Sequence, residues 1–125
     1  MLLLSLALLG LILFLAIRYL YSYWARHDLP HIKPEIPYGN LRPVAERRAC
    51  IGVAISELYQ KSKEQLLGIY LFFQPAILVR DARLAKQIMT SDFASFHDRG
   101  VFVDEKNDPF SANLFALPGK KWRNL

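Results

Sequence analysis

The chain of 125 residues carries a single cysteine, Cys50, and three histidines. One thiol cannot close an intrachain disulfide, and no Cys-x-x-Cys pair or neighbouring histidine supports a zinc site, so the composition suits a reducing compartment. Neither Gly-x-Gly-x-x-Gly nor a phosphate-binding loop occurs, which removes the usual nucleotide cradles. The net charge is +5, but its basic residues are interleaved with acids and form no block long enough for a nucleic-acid tail, so no nucleic-acid partner is expected. Attraction to anionic lipid accounts for the excess.

Charge is also missing from the whole of Leu2 to Ile17, a Leu-rich run that ends at Arg18 and the aromatic group Tyr19, Tyr21, Tyr23 and Trp24. At ~1.5 Å per residue this run alone falls short of a ~30 Å hydrocarbon core. Extended to Trp24 it spans, with Arg18 snorkelling and the rings at the interface. A cleaved secretory signal is the rival. No Lys or Arg precedes the run, and bulky residues follow it where a peptidase needs small ones, so residues 1–26 read as an uncleaved anchor. Arg18, Arg26 and Lys33 downstream put the C-terminal side in the cytosol.

Residues 27–43 hold Pro30, Pro34, Pro37 and Pro43, which forbid a continuous helix and predict a semi-rigid hinge. Residues 44–125 form the third segment, and about 100 residues beyond the anchor suffice for one small domain. Ile51, Ile55, Leu58 and Tyr59 recur at helical spacing, predicting an amphipathic helix with its body at 46–62, although Gly52 weakens it. Cys50, on that helix, reads as a small buried hydrophobe. Two β-rich runs, 68–73 and 76–79, predict a hairpin turning at Gln74-Pro75. Asp81 can cap a helix whose apolar stripe is Ala82, Ala85, Ile88 and Met89. Residues 91–119 then lose periodicity and read as a long irregular connection.

Two clusters invite chemistry. His97, Asp98 and Arg99 read as a satisfied polar cluster at a helix-to-loop corner, because no nucleophile motif lies near them. Lys120-Lys121-Trp122-Arg123 follows Pro118-Gly119 and starts a further helix. It reads either as a solvated helix start or as an anion clamp, the guanidinium fork and indole N–H both donating to a carboxylate. No complete catalytic constellation and no metal site is apparent.

The order of parts has a resemblance. Anchor, proline-rich hinge ending Pro-Tyr-Gly-Asn, amphipathic helix, Gly-Ile-Tyr-Leu-Phe-Phe with Pro-Ala-Ile-Leu-Val, then Asp92-Phe93-Ala94-Ser95-Phe96-His97-Asp98-Arg99-Gly100 and Leu117-Pro118-Gly119-Lys120-Lys121-Trp122-Arg123 resemble the N-terminal part of a microsomal cytochrome P-450, most like the insect family-six type. The resemblance implies a mainly α fold with a small β-sheet. It implies haem as cofactor, Trp122 and Arg123 at its propionates, and Phe102, Phe110, Leu114 and Phe115 as apolar contacts in a substrate-pocket loop. It further implies an endoplasmic-reticulum membrane enzyme, a monooxygenase of apolar small molecules such as xenobiotics, insecticides or hormones, served by an NADPH-dependent reductase. The family's Phe-x-x-Gly-x-Arg-x-Cys-x-Gly haem loop has no counterpart here. Arg48 and Gly52 sit at matching offsets from Cys50, but Pro43 and Glu46 hold the Phe and Gly positions, so Cys50 is not expected to ligate iron. Without an axial thiolate the chain alone is expected to be inactive, a partial product of a longer parent. A complete membrane-tethered interaction module is the alternative.

Overall fold

The computed structural model describes residues 1–124. The chain forms two compact units, Met1–Asp81 and Ala82–Leu125. Its helices and one two-stranded antiparallel sheet fit the mainly α, N-terminal portion of a cytochrome P-450 fold.

In the first unit, α1 runs Leu2–Leu20 and is long and apolar enough to cross a membrane. None of its residues is buried. Within its uncharged run, Leu2 to Ile17, the one side-chain hydroxyl, Ser5 Oγ, donates to the Leu2 carbonyl at 2.7 Å and so is paired within the helix. The helix stops at Leu20 rather than continuing to Trp24, and a short helix α2, Tyr23–Arg26, follows a turn. The expected interfacial ring of aromatics is therefore divided. Tyr19 is exposed, whereas Tyr21 and Trp24 are 8% and 7% exposed and pack with Tyr70 in a core cluster. Burying two large aromatics against a third outweighs leaving them at the surface, at about 1.5–3 kcal/mol per fully buried large side chain.

That core rests on a hairpin, β1 Leu66–Leu71 and β2 Gln74–Val79, paired from Leu66↔Val79 to Leu71↔Gln74. The turn is Phe72-Phe73, two residues earlier than expected, with Phe72 at φ +58°. Pro75 thus sits inside β2, opposite Tyr70. The site tolerates it because the N–H and C=O of Tyr70 point the other way, to Asn40: Tyr70 N–H donates to Asn40 Oδ1 at 2.7 Å and Tyr70 O accepts from Asn40 N at 2.8 Å. The pair therefore needs no proline N–H. Side chains alternate across β1. Tyr70 faces Tyr21 and Trp24, while Leu67 and Ile69 join Leu58 in a second cluster.

The proline-rich stretch behaves less like a spacer than expected. Gly68 N–H donates to Pro30 O at 2.8 Å and Ile32 N–H donates to Gly68 O at 3.1 Å, so the stretch runs along the free edge of β1. Backbone partners for an open strand edge explain why it is ordered against the sheet.

The expected helix over 46–62 is split. Pro43 opens a four-residue helix α3, Arg42–Ala45; the chain breaks at Arg47, φ +56°, and α4 covers only Ile51–Gln60. The Arg48 and Ala49 amides both donate to Pro43 O, closing α3 instead of extending it. The buried side of α4 is Ala54 and Leu58; Ile51 and Tyr59, placed in the apolar stripe by spacing, are 54% and 44% exposed. Tyr59 instead carries the Arg80 guanidinium 4.4 Å above its ring. Cys50 is exposed at the start of α4, not buried.

The second unit opens with α5, Ala82–Met89, directly after Asp81, and α6, Phe93–Phe96. Met89, placed in the α5 stripe, is 74% exposed. The irregular connection follows, interrupted by one 3-10 turn at Pro109–Ser111, and α7, Gly119–Trp122, comes last.

Candidate functional site

The Trp122 corner is built from two loops that meet at the start of α7. Pro118 ends the irregular stretch, and its carbonyl accepts from Lys121 N at 2.8 Å and Trp122 N at 3.2 Å. Gly119 N–H donates to Asp98 Oδ1 at 2.6 Å, which ties α7 to the residues after α6. A Cβ on Gly119 would lie 2.6 Å from the His97 ring, so the two loops approach this closely only through glycine.

Around that junction Arg99 donates through Nη1 to Phe115 O at 2.8 Å, and its guanidinium lies 5.6 Å from the Phe115 ring and 6.0 Å from the Trp122 ring. Phe93 meets Trp122 edge to face at 5.9 Å. Ile88, Met89, Phe93, Phe96, His97 and Arg99 join Trp122 around a cavity of about 230 Å³.

The cluster His97-Asp98-Arg99 does form a helix-to-loop corner, but it is only partly satisfied. His97 Nδ1 is shielded from water without a hydrogen-bond partner, and Asp98 Oδ1 at 3.7 Å is too far to supply one. Trp122 Nε1 is likewise buried and unpaired. An unpaired buried donor is unfavourable by about 1–3 kcal/mol, and it marks a place where an acceptor would be bound with gain. A buried indole N–H beside a fixed guanidinium suits a carboxylate. This is the kind of donor a haem propionate requires, so the residues present fit that group.

The structure separates the remaining expected site residues. Arg123 is exposed on the turn after Trp122. Phe102, Phe110, Leu114 and Phe115 are 82%, 93%, 56% and 74% exposed, and none of them lines the cavity beside Trp122. Arg99 was legible only as part of a polar cluster; its place beside Trp122 follows from the Gly119 junction, 20 residues downstream, for which the sequence holds no local signal. In the connection, Asp104 is held below the ordinary carboxylate range by the side chain and backbone amide of Asn107. Lys121 pairs with Glu105. Among the described residues no group of three His, Cys, Asp or Glu could hold a metal ion.

No protein-family model matches the chain. Individual relatives do. Cytochrome P-450 6d3 of Musca domestica is 56% identical over 105 residues, 84% of this chain and 20% of the relative. Probable cytochrome P-450 6d4 of Drosophila melanogaster is 53% identical over 106 residues, 84% of this chain and 21% of its own length. Probable cytochrome P-450 6d5 of the same fly is 47% identical over 114 residues, 91% and 22% respectively. The chain thus spans about one fifth of the length of the curated relatives it matches. Similarity of this order over most of its residues, with the helices and hairpin described above, makes the chain a member of the insect family-six cytochrome P-450s.

Proposed function

We propose that the chain is the membrane-tethered N-terminal part of a haem-thiolate monooxygenase of the endoplasmic reticulum, oxidising apolar small molecules with electrons from an NADPH-dependent reductase. The observation that carries this is the 56% identity over 105 residues to a cytochrome P-450. In this reading α1 crosses the bilayer and the rest of the chain faces the cytosol, the orientation favoured by Arg18, Arg26 and Lys33. Tethering places the enzyme where apolar substrates dissolve.

Haem, when bound, supplies activation of dioxygen. The contribution of these residues is to hold its propionate edge. Trp122, whose buried indole N–H has no partner, would donate to a propionate carboxylate, Arg123 would add an exposed cation on the same turn, and Arg99, fixed by the Phe115 carbonyl, would add a second. Phe102, Phe110, Leu114 and Phe115 supply apolar surface for substrate. No axial thiolate lies in this stretch under this reading, because Cys50 is an exposed residue at the start of α4, so the 125 residues alone are inactive.

Expression of the complete reading frame in microsomes tests the proposal. NADPH-driven oxygen uptake stimulated by apolar substrates is expected, and Trp122→Phe should lower the haem content of the membrane fraction. A full-length product that holds no haem and consumes no oxygen would refute it.

A further inference from the structure

One buried polar atom at the Trp122 corner is left without a partner by a propionate held on Trp122 and the arginines. His97 Nδ1 is shielded from water and unbonded, as Trp122 Nε1 is, and both residues line the same cavity of about 230 Å³. The imidazole is backed by α7: a Cβ on Gly119 would lie 2.6 Å from His97 Cδ2 and 2.7 Å from Cγ, so that edge of the ring rests on the glycine. Asp98 does not satisfy the nitrogen. Its Oδ1 accepts from Gly119 N–H at 2.6 Å and stands 3.7 Å from His97 Nδ1, outside hydrogen-bond range. The carboxylate charge nevertheless favours the imidazole form with its proton on the nitrogen nearest to it, Nδ1. His97 thereby presents a buried N–H donor.

The lining of the cavity says what such a donor would meet. Ile88, Phe93 and Phe96 supply apolar surface, His97, Arg99 and Trp122 supply donors, and no carboxylate lines it. At about 230 Å³ it falls below the ~300–1,000 Å³ of pockets that enclose a drug-sized ligand, so it admits an arm of a macrocycle and not its body. A carboxylate on an apolar arm has two oxygens, and each can take its own N–H donor.

We propose that His97 is a cofactor-binding residue, donating through Nδ1–H to one oxygen of the haem propionate whose other oxygen takes the Trp122 indole N–H. The proposal rests on the haem reading of this chain. It gives the propionate two fixed donors from opposite sides of the Gly119 junction, one at the end of α6 and one on α7, with Arg99 as the neighbouring charge.

Holoenzyme made from the complete reading frame in microsomes tests it. The readouts are the propionate-bending band in the resonance Raman spectrum and the rate of haem loss to excess apomyoglobin. Asparagine places its amide where Nδ1 lies, glutamine where Nε2 lies, and phenylalanine keeps a ring without either nitrogen. His97→Asn is expected to keep the wild-type band and a haem-loss rate close to wild type. His97→Gln and His97→Phe are expected to lower the band frequency and to speed haem loss at least about tenfold, the effect of losing one hydrogen bond to a charged group. If the phenylalanine variant does not fold, the comparison of asparagine with glutamine decides. A band that moves equally in the asparagine and glutamine variants, or in neither, overturns the proposal and leaves the haem reading standing. A full-length product that holds no haem overturns both.

Discussion

Tyr70→Phe isolates the hydrogen bonds that hold α2 onto the hairpin, because it keeps the ring and its volume. The Tyr70 hydroxyl donates to Tyr21 O at 2.9 Å and accepts from Trp24 N–H at 3.2 Å, all within a core where Tyr70 is fully buried. The substitution leaves one buried carbonyl and one buried amide without a partner. At about 1–3 kcal/mol for each orphaned group the loss is about 2–6 kcal/mol, and the lower bound corresponds to roughly a thirtyfold shift in the local opening equilibrium. The assay is amide hydrogen exchange of the full chain in lipid bicelles, read at Trp24, the amide that loses its acceptor. Exchange there should accelerate at least about thirtyfold while the amides of α4 change far less. Unchanged protection at Trp24 would refute the reasoning. So would equal acceleration across α4, which would mean a general loss of stability rather than release of one latch.

Three further outcomes follow from particular contacts. Gly68→Ala puts a methyl 2.7 Å from the Trp24 ring, so Trp24 must shift at about 1–3 kcal/mol; in a Trp122→Phe background its emission should move to the red, and an unchanged spectrum would contradict the packing. Gly119→Ala drives a Cβ into the His97 ring and should break the Gly119–Asp98 hydrogen bond, seen as faster exchange of the residue 119 amide; retained protection would show that the corner can yield. Asp104 has a depressed pKa because the Asn107 side chain and amide bond its ionised form, so its support for the turn is present above the ordinary aspartate pKa and fades as pH falls through the lower folded value. The Asn107 side-chain amide resonances should therefore hold down to about pH 4 and shift below it, and a midpoint above the ordinary aspartate value would reverse the sign of the argument.

What the sequence discloses and what it conceals divide by range. The uncharged Leu2–Ile17 run, the two β-rich runs and the 82–89 periodicity are local signals, and α1, the hairpin and α5 appear close to where they predict. The end of α1, by contrast, is decided by Tyr70, whose hydroxyl reaches Tyr21 across 49 positions and Trp24 across 46, and no periodicity records such a bond. The same holds for the hinge, ordered because β1 offers it an open edge, and for Pro75, tolerated because Asn40 takes the hydrogen bonds of Tyr70. Pro43 signals helix initiation correctly but not how soon that helix closes. In the candidate site Trp122 is identifiable from its motif, while the pairing with Arg99 depends on a glycine contact visible only in three dimensions. The motif phenylalanines are exposed among the described residues, so their part in substrate contact rests on resemblance rather than on a formed pocket.

The central claim is that these residues belong to a haem-thiolate enzyme whose iron ligand lies elsewhere in the same polypeptide. Reading the transcript downstream of the codon for Leu125 tests it most directly. The account predicts one continuous frame that reaches Phe-x-x-Gly-x-Arg-x-Cys-x-Gly. A continuation without a cysteine in that setting, or a stop codon directly after Leu125, would contradict it.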